Sequence, residues 1–293
     1  MVALESGIPR SAWRRLHATV VDRLSAAGAR VIAFDMYFES PTPDDAALAS
    51  AIEQARQRGT TVIVGINTLV DGQPKLLPQL RQAVSAWGML CIGQQLGAAW
   101  IEPLAVERRA ASGTNTQPFL WSMALRAVAA WRQVDLSIEQ LDADRQEIFA
   151  DHVVTHHKES FPFSMTWETR RLQKGCPVIA EGDRVHSLMM ALSPLTALRD
   201  PVRRFTYTDL TTATTRPEAP MFRDKIVLLG VESPEDSFTV PGGERRFGFE
   251  LHADAINMLL TGVTIRQLGQ GMQFALSIAL ALLTLFVLSA IAY

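Results

Sequence analysis

The stretch Phe222-Arg-Asp-Lys-Ile-Val-Leu-Leu-Gly230, with an acidic loop through Asp236 and then Phe249-Glu-Leu-His-Ala-Asp-Ala-Ile-Asn-Met-Leu-Leu260, decides how this chain is read. Ile226–Leu229 is apolar at consecutive positions, as expected of a strand buried on both faces. Gly230 gives it a tight exit. From Phe249 the apolar residues recur at helical spacing and stop at Gly262. That spacing predicts that Leu251, Ala255, Met258 and Leu259 pack on a sheet, leaving Glu250, Asp254 and Asn257 nearer solvent or a partner. No charged residue follows Arg266. The run to Tyr293 reaches about 40 Å as a helix, more than the ~30 Å hydrocarbon core. Phe274 to Ile291 is apolar on every face, which places a helix of this length in lipid. The pattern is strand, loop, helix, membrane helix. We divide the chain into a soluble domain, residues 1–265, and a transmembrane helix, residues 266–293.

The chain upstream has an alternating rhythm. A helix is expected from Ser11, as its cap, to Gly28, with Trp13, Leu16, Val20 and Leu24 on one face. Val31–Phe34 is a buried strand that stops at Asp35. Pro41 and Pro43 forbid its continuation, and Thr42 with Asp45 forms a capping-box pattern for a helix ending at Gly59. Thr61–Ile66 is the next strand, Asp71-Gly72 a hairpin turn and Met89–Ile92 a third strand. Pro118–Trp131 reads as one helix. Val153–Thr155, Val178–Ala180 and Arg204–Tyr207 read as short strands of undetermined order. Strands alternating with helices imply an α/β fold: a mainly parallel twisted sheet with helices on both faces, in which Val31–Phe34 and Ile226–Leu229 are central.

Composition narrows the function. Apolar residues make up 48% and charged residues 20%, which suits one α/β domain plus a span. A net charge of −2 argues against a nucleic-acid partner. Cys91, inside the apolar run Trp87–Ile92, reads as a buried thiol; a disulfide with Cys176 is the alternative outside the cytoplasm. There is no Gly-rich phosphate loop, no G-x-S-x-G elbow and no paired C-x-x-C, so we expect no cofactor and no enzyme activity in this chain. Met1–Arg10 lacks the apolar segment of a signal peptide. Either the domain faces the cytoplasm or the chain is a piece of a longer one.

Three stretches in order resemble the second class of CHASE domain, the cyclase- and histidine-kinase-associated sensory extracellular family. They are Leu24–Asp35 with Phe38-Glu-Ser-Pro and Asp45–Ile52, then Phe222–Gly230 with Glu235-Asp236, then Gly248–Leu260 before the membrane run. The resemblance implies a ligand-sensing input module outside the bacterial membrane, preceding several membrane helices and a cytoplasmic output domain such as a cyclase or kinase. On it we expect a cell-membrane protein with its soluble domain on the periplasmic side. Its expected partners are the membrane, an unidentified small-molecule ligand and, in the full-length receptor, a second copy.

Ligands of open α/β sheets bind beyond the carboxyl ends of the strands. Asp35 and Glu39 follow one strand there, Glu232, Glu235 and Asp236 follow another, and His252 begins the next helix. Asp35, Glu39, Asp236 and His252 are therefore the candidate ligand-binding residues, with Asp35 and Asp236 sharing one crevice. Two carboxylates and a histidine suit a cationic ligand or a divalent metal. Asp35 equally fits as a loop cap, and His252 as a core residue donating to a carbonyl. A membrane-anchored, metal-dependent hydrolase using Asp35, Asp236 and His252 is one rival reading. A structural or assembly module with no small ligand is another. His152, His156 and His157 are the densest histidine group, but no nearby Cys or acid pair completes a ligand set.

Overall fold

The structure is a computed structural model. It describes every residue except 6, 96, 109–118, 143, 156, 170–175, 213–218, 266–269 and 292–293. Among the described residues, the helices of ten residues or more are α1 (Trp13–Ala26), α2 (Asp45–Gln57), α3 (Met123–Arg132), α4 (Gly248–Thr261) and α5 (Gln270–Ile291).

The main sheet is parallel throughout. Its strand order is Phe205–Thr206, Val2–Leu4, Ile226–Val231, Val31–Phe34, Thr61–Ile66 and Ala86–Met89. Val31–Phe34 and Ile226–Val231 lie side by side in its interior, paired from Val31 with Ile226 to Phe34 with Leu229. Side chains alternate along these strands. Val31, Ala33, Ile63 and Leu228 share a core with residues of α3 and α4, such as Leu125 and Leu251. Ile32, Phe34, Val62 and Leu229 share another with residues of α1 and α2, such as Leu24 and Ile52. That alternation is why the strands read as unbroken apolar runs.

Among the described residues, two short hairpins, Leu69–Val70 with Gln73–Pro74 and Ser237–Thr239 with Arg245–Phe247, and two larger antiparallel sheets stand beside the main sheet. One larger sheet has the order Met165–Glu168, Arg184–Met189, Ala98–Glu107, Gly93–Gln95, with Phe119–Trp121 also paired to Ala98–Glu107. The other is a meander of Val134–Asp142, Glu147–His152 and Lys158–Pro162.

Several sequence expectations need correction. Ser11 caps nothing: it lies in the 3-10 turn Arg10–Ala12, and α1 starts after it. Thr42 is not the cap of α2, which follows Asp44, although the Asp45 carboxylate does reach back to the Thr42 amide at 2.6 Å. The third parallel strand is Ala86–Met89 instead of Met89–Ile92. It is set by Gly88, where any Cβ would meet the Met123 backbone at 2.5 Å. Pro118–Trp131 is not one helix. Phe119–Trp121 is a strand, and Ser122 caps α3 by accepting from the Leu125 amide at 3.0 Å. Val153–Thr155 and Pro177–Val178 are turns. Cys91 is buried but is not a thiol, because it is bonded to Cys176. Asp71-Gly72 does make the hairpin turn, both residues taking positive φ (51° and 76°) between Leu69–Val70 and Gln73–Pro74.

α5 differs from every other helix. Its segment Gly271–Ala290 is long and apolar enough to cross a membrane and is buried against nothing in the domain.

Candidate functional site

The carboxyl ends of Val31–Phe34 and Ile226–Val231 meet the first turns of α4. Asp35 is fixed where its strand ends: its amide donates to the Leu229 carbonyl at 2.8 Å, which joins the two central strands. Phe249, in the first turn of α4, lies so close to Gly230 that a Cβ there would fall 2.3 Å from its ring. This close approach brings the second turn of α4 over the strand ends.

His252 sits in that turn, buried, with a carboxylate on each side. Its Nε2 lies 3.6 Å from Asp35 Oδ1. Its Nδ1 lies 3.1 Å from Glu102 Oε1 with hydrogen-bond geometry, and 3.0 Å from Oε2. Glu102 belongs to the strand Ala98–Glu107 and is fully buried. The imidazole thus links α4, the main sheet and an antiparallel sheet. Asp35 Oδ2 and Glu102 Oε2 are buried without a hydrogen-bond partner.

Asp236 closes the group from the other strand. It ends the 3-10 turn Pro234–Asp236 and accepts from the Gly248 amide, the first residue of α4. Both its oxygens lie 2.9 Å from where a Cβ on Gly248 would stand, so the approach requires glycine. A carboxylate at a helix N-terminus is favoured by the exposed amides and the helix dipole.

The electrostatics follow from burial and crowding. Burial works against charge on His252, but the carboxylates of Glu102, then Asp35, outweigh it and raise the imidazole to about 9. Nδ1 shares a hydrogen bond with Glu102, while Nε2 faces Asp35 at 3.6 Å, beyond hydrogen-bond distance but close enough for an ion pair that favours the charged imidazole. Burial pushes Asp35 and Glu102 above the usual carboxylate range, with His252 pulling the other way. Burial and then the Asp35 charge lift Asp236 to about 7, against the pull of His252 and the Gly248 amide. Three carboxyl groups crowd one imidazole here, and burial makes negative charge on each of them costly, so this is a place where a proton or a cationic group would be favoured.

Asp35, Asp236 and His252 therefore come together. Glu39 instead makes an ion pair with Lys75 at 2.8 Å. His152 and His157 stack with ring centroids 5.0 Å apart, and His156 lies outside the described residues. Among the described residues no group of three or more His, Cys, Asp and Glu side chains is placed to hold a metal ion.

Glu102 is the member that sequence reasoning missed. The available signal was a single acid inside the apolar run Ala98-Ala-Trp-Ile-Glu-Pro-Leu-Ala-Val106, because a charge buried among such neighbours needs a partner. Of the residues expected on the other face of α4, Asn257 is exposed, whereas Glu250 and Asp254 are buried and meet partners within the chain. Glu250 accepts from Arg199 at 2.8 Å and Arg204 at 2.5 Å, and Arg204 also pairs with Glu232. Asp254 accepts from Arg246 at 2.8 Å. A helix-wheel reading cannot see arginines that arrive from distant sequence.

No curated protein and no solved structure matches the chain. The CHASE2 domain family matches residues 5–292, which takes in the charged group, α5 and every sheet strand described above except Val2–Leu4. The chain belongs to the CHASE2 domain family, a family of sensory domains.

Proposed function

We propose that residues 1–265 form an extracytoplasmic ligand-sensing input domain of a membrane-bound bacterial signalling protein, and that residues 266–293 form the span that carries its signal. The observation that carries this reading is the position of the Asp35–His252–Glu102 group. It is built into the first turns of α4, and α4 is the last domain helix before α5. α4 is 14 residues long, about 21 Å at the usual rise, so it runs from the charged group toward the span. We also read the main sheet as covered by helices on both faces, which the two alternating cores support.

The ligand we infer is a small molecule bearing positive charge, recognised through Asp35 and Asp236. It need only bind one packing of α4 better than another to shift the helix. The hydrolase reading needs a metal at this group, and among the described residues no three or more His, Cys, Asp and Glu side chains are placed to hold one.

A thermal-shift screen of small amines and cations on the 1–293 chain in detergent tests binding. The Asp35→Asn and Asp236→Asn variants should lose any shift while remaining folded. If no amine or cation shifts the parent chain, the assembly-module reading gains. The relay is tested in the intact receptor by inserting flexible residues after Gly262, which has φ 69° and ends α4. Ligand binding should persist and output should disappear. Unchanged output would mean that the signal leaves by another route. A topology reporter at the N-terminus of the intact receptor tests the periplasmic placement, and a cytoplasmic signal would reverse it.

A further inference from the structure

The far end of α4 carries an arrangement that ligand sensing does not use. Arg132, in the last turn of α3, donates from Nη2 to the Leu259 and Leu260 carbonyls at 3.0 and 3.1 Å. The C-terminal ends of α3 and α4 are therefore adjacent. Trp131 Nε1 donates to the Asp224 carbonyl, just before the strand Ile226–Val231, so both helix ends lie at the amino end of that strand. Gln133 ends α3 with φ 60°, and its carbonyl accepts from the Val153 amide at 2.8 Å. Val153 opens the turn between the strands Glu147–His152 and Lys158–Pro162. The tip of that hairpin thus stands where α4 leaves the domain.

The tip is not built like an ordinary turn. Exposed turns favour Gly, Asn, Asp, Pro and Ser, whereas this one presents Val153 and Val154, 57% and 66% exposed. The exit of α4 presents Val263 and Ile265, 54% and 37% exposed. Two apolar pairs at one end of a domain mark a contact surface rather than scattered surface residues. The tether says what that surface meets. From Gly262 to the start of α5 the chain spans roughly 30 Å at full stretch, and less in any compact form. The end of the domain that carries these residues is held close to the head of α5.

We propose that the Val153–Val154 tip and the Val263–Ile265 exit form a second contact with the bilayer, seating the domain on the lipid surface beside its own span. This rests on the reading of α5 as membrane-crossing. The apolar side chains would enter the boundary between headgroups and acyl chains, with the polar atoms of Thr155, His152 and His157 left at headgroup level. The contact fixes the tilt of α4 against the membrane, so that the helix cannot pivot freely about its connector.

The test uses the full 1–293 chain in vesicles of phosphatidylethanolamine and phosphatidylglycerol, with the Cys91–Cys176 bond kept oxidised. An environment-sensitive fluorophore is attached in turn to V154C, V70C and S277C. Val70 is 53% exposed in the hairpin after the carboxyl end of Thr61–Ile66, at the other end of the sheet. Ser277 lies in α5. Lipids bearing a shallow nitroxide should quench the V154C label several-fold more than the V70C label, and deep nitroxides should quench the S277C label. Quenching at S277C with none at V154C overturns this inference alone. No quenching at S277C overturns the membrane reading and the inference with it. A V154C disulfide between two copies, without lipid quenching, makes the tip a dimer contact and also overturns the inference.

Discussion

Asp236→Asn should make the domain more stable at alkaline pH and less responsive to ligand. Burial and the neighbouring Asp35 charge lift the Asp236 carboxyl from 3.8 to about 7. A lift of that size corresponds to about 4 kcal/mol. The folded state holds this proton more tightly than the unfolded chain does. The cost is therefore absent below 3.8, grows between 3.8 and about 7, and is complete above it. Asparagine keeps an oxygen to accept from the Gly248 amide but carries no charge. Removing the charge also takes one attractive partner from His252, which offsets part of the gain. The net gain should be about 2 kcal/mol at about pH 8, falling to nearly nothing at about pH 4. Urea unfolding in detergent, followed by tryptophan fluorescence with the disulfide intact, measures both. If parent and variant lose stability in parallel from about pH 4 to about pH 8, the crowding of carboxylates has been misread. In the intact receptor the stabilised variant should still respond less, since a group that costs stability is retained for another reason.

His252→Gln leaves Glu102 and Asp35 buried without their cation and should cost about 3 kcal/mol at about pH 6. Because the folded imidazole is raised to about 9, its stabilisation is complete below 6.5 and lost as pH rises through 9, so this contribution to the parent's pH dependence should be missing from the variant. Equal slopes in urea unfolding would refute this. Gly230→Ala would put a Cβ 2.3 to 2.4 Å from atoms of Phe249, forcing α4 off the strand, and should cost about 1–3 kcal/mol in the same assay. Cys176→Ser frees a loop with a sequence separation of 85 and should lower stability by up to about 4 kcal/mol, read as a drop in melting temperature. An unchanged melting temperature would show that the bond constrains little.

The parts of the fold that sequence reading recovers are those whose signal is local. Val31–Phe34 and Ile226–Leu229 announce themselves because both faces are apolar, and Asp71-Gly72 because its positive φ angles need those residue types. Val2–Leu4 is paired on both sides yet went unread, because a three-residue strand has too few positions to show a period. The antiparallel sheets were hidden for another reason. Ala98–Glu107 mixes Trp100, Glu102 and Pro103, and its register shifts opposite His186–Ser187, so neither a period of two nor an unbroken apolar run survives. The candidate site divides in the same way. Asp35 and Asp236 are legible as acids that follow strands, and His252 as a residue near the start of a helix. Glu102 arrives from 150 residues away, and only the folded chain shows it.

α4 is held at its two ends by different physics, and that difference bears on how a sensor of this build would work. In its first two turns the fixed points are charged: Glu250 to Arg199 and Arg204, His252 to Glu102 and Asp35, Asp254 to Arg246. The Glu250 and His252 pairs join the helix to segments distant in sequence, and the Asp254 pair joins it to the strand just before it. From Ala255 onward the buried residues are Ala255, Ile256, Met258 and Leu259, which respond to volume and hardly to charge. In the proposed sensor, a charged ligand or a proton at Asp236 would therefore act on the end of α4 where the restraints are electrostatic. The apolar end would transmit the displacement, because close-packed side chains do not absorb it. Among the described residues Arg132 is the charged group that holds the far end, and it does so through backbone carbonyls. That grip depends on the position of the helix end and not on the ionisation state of a helix side chain, so in the proposed relay a change made at His252 would reach the connector as movement rather than as charge.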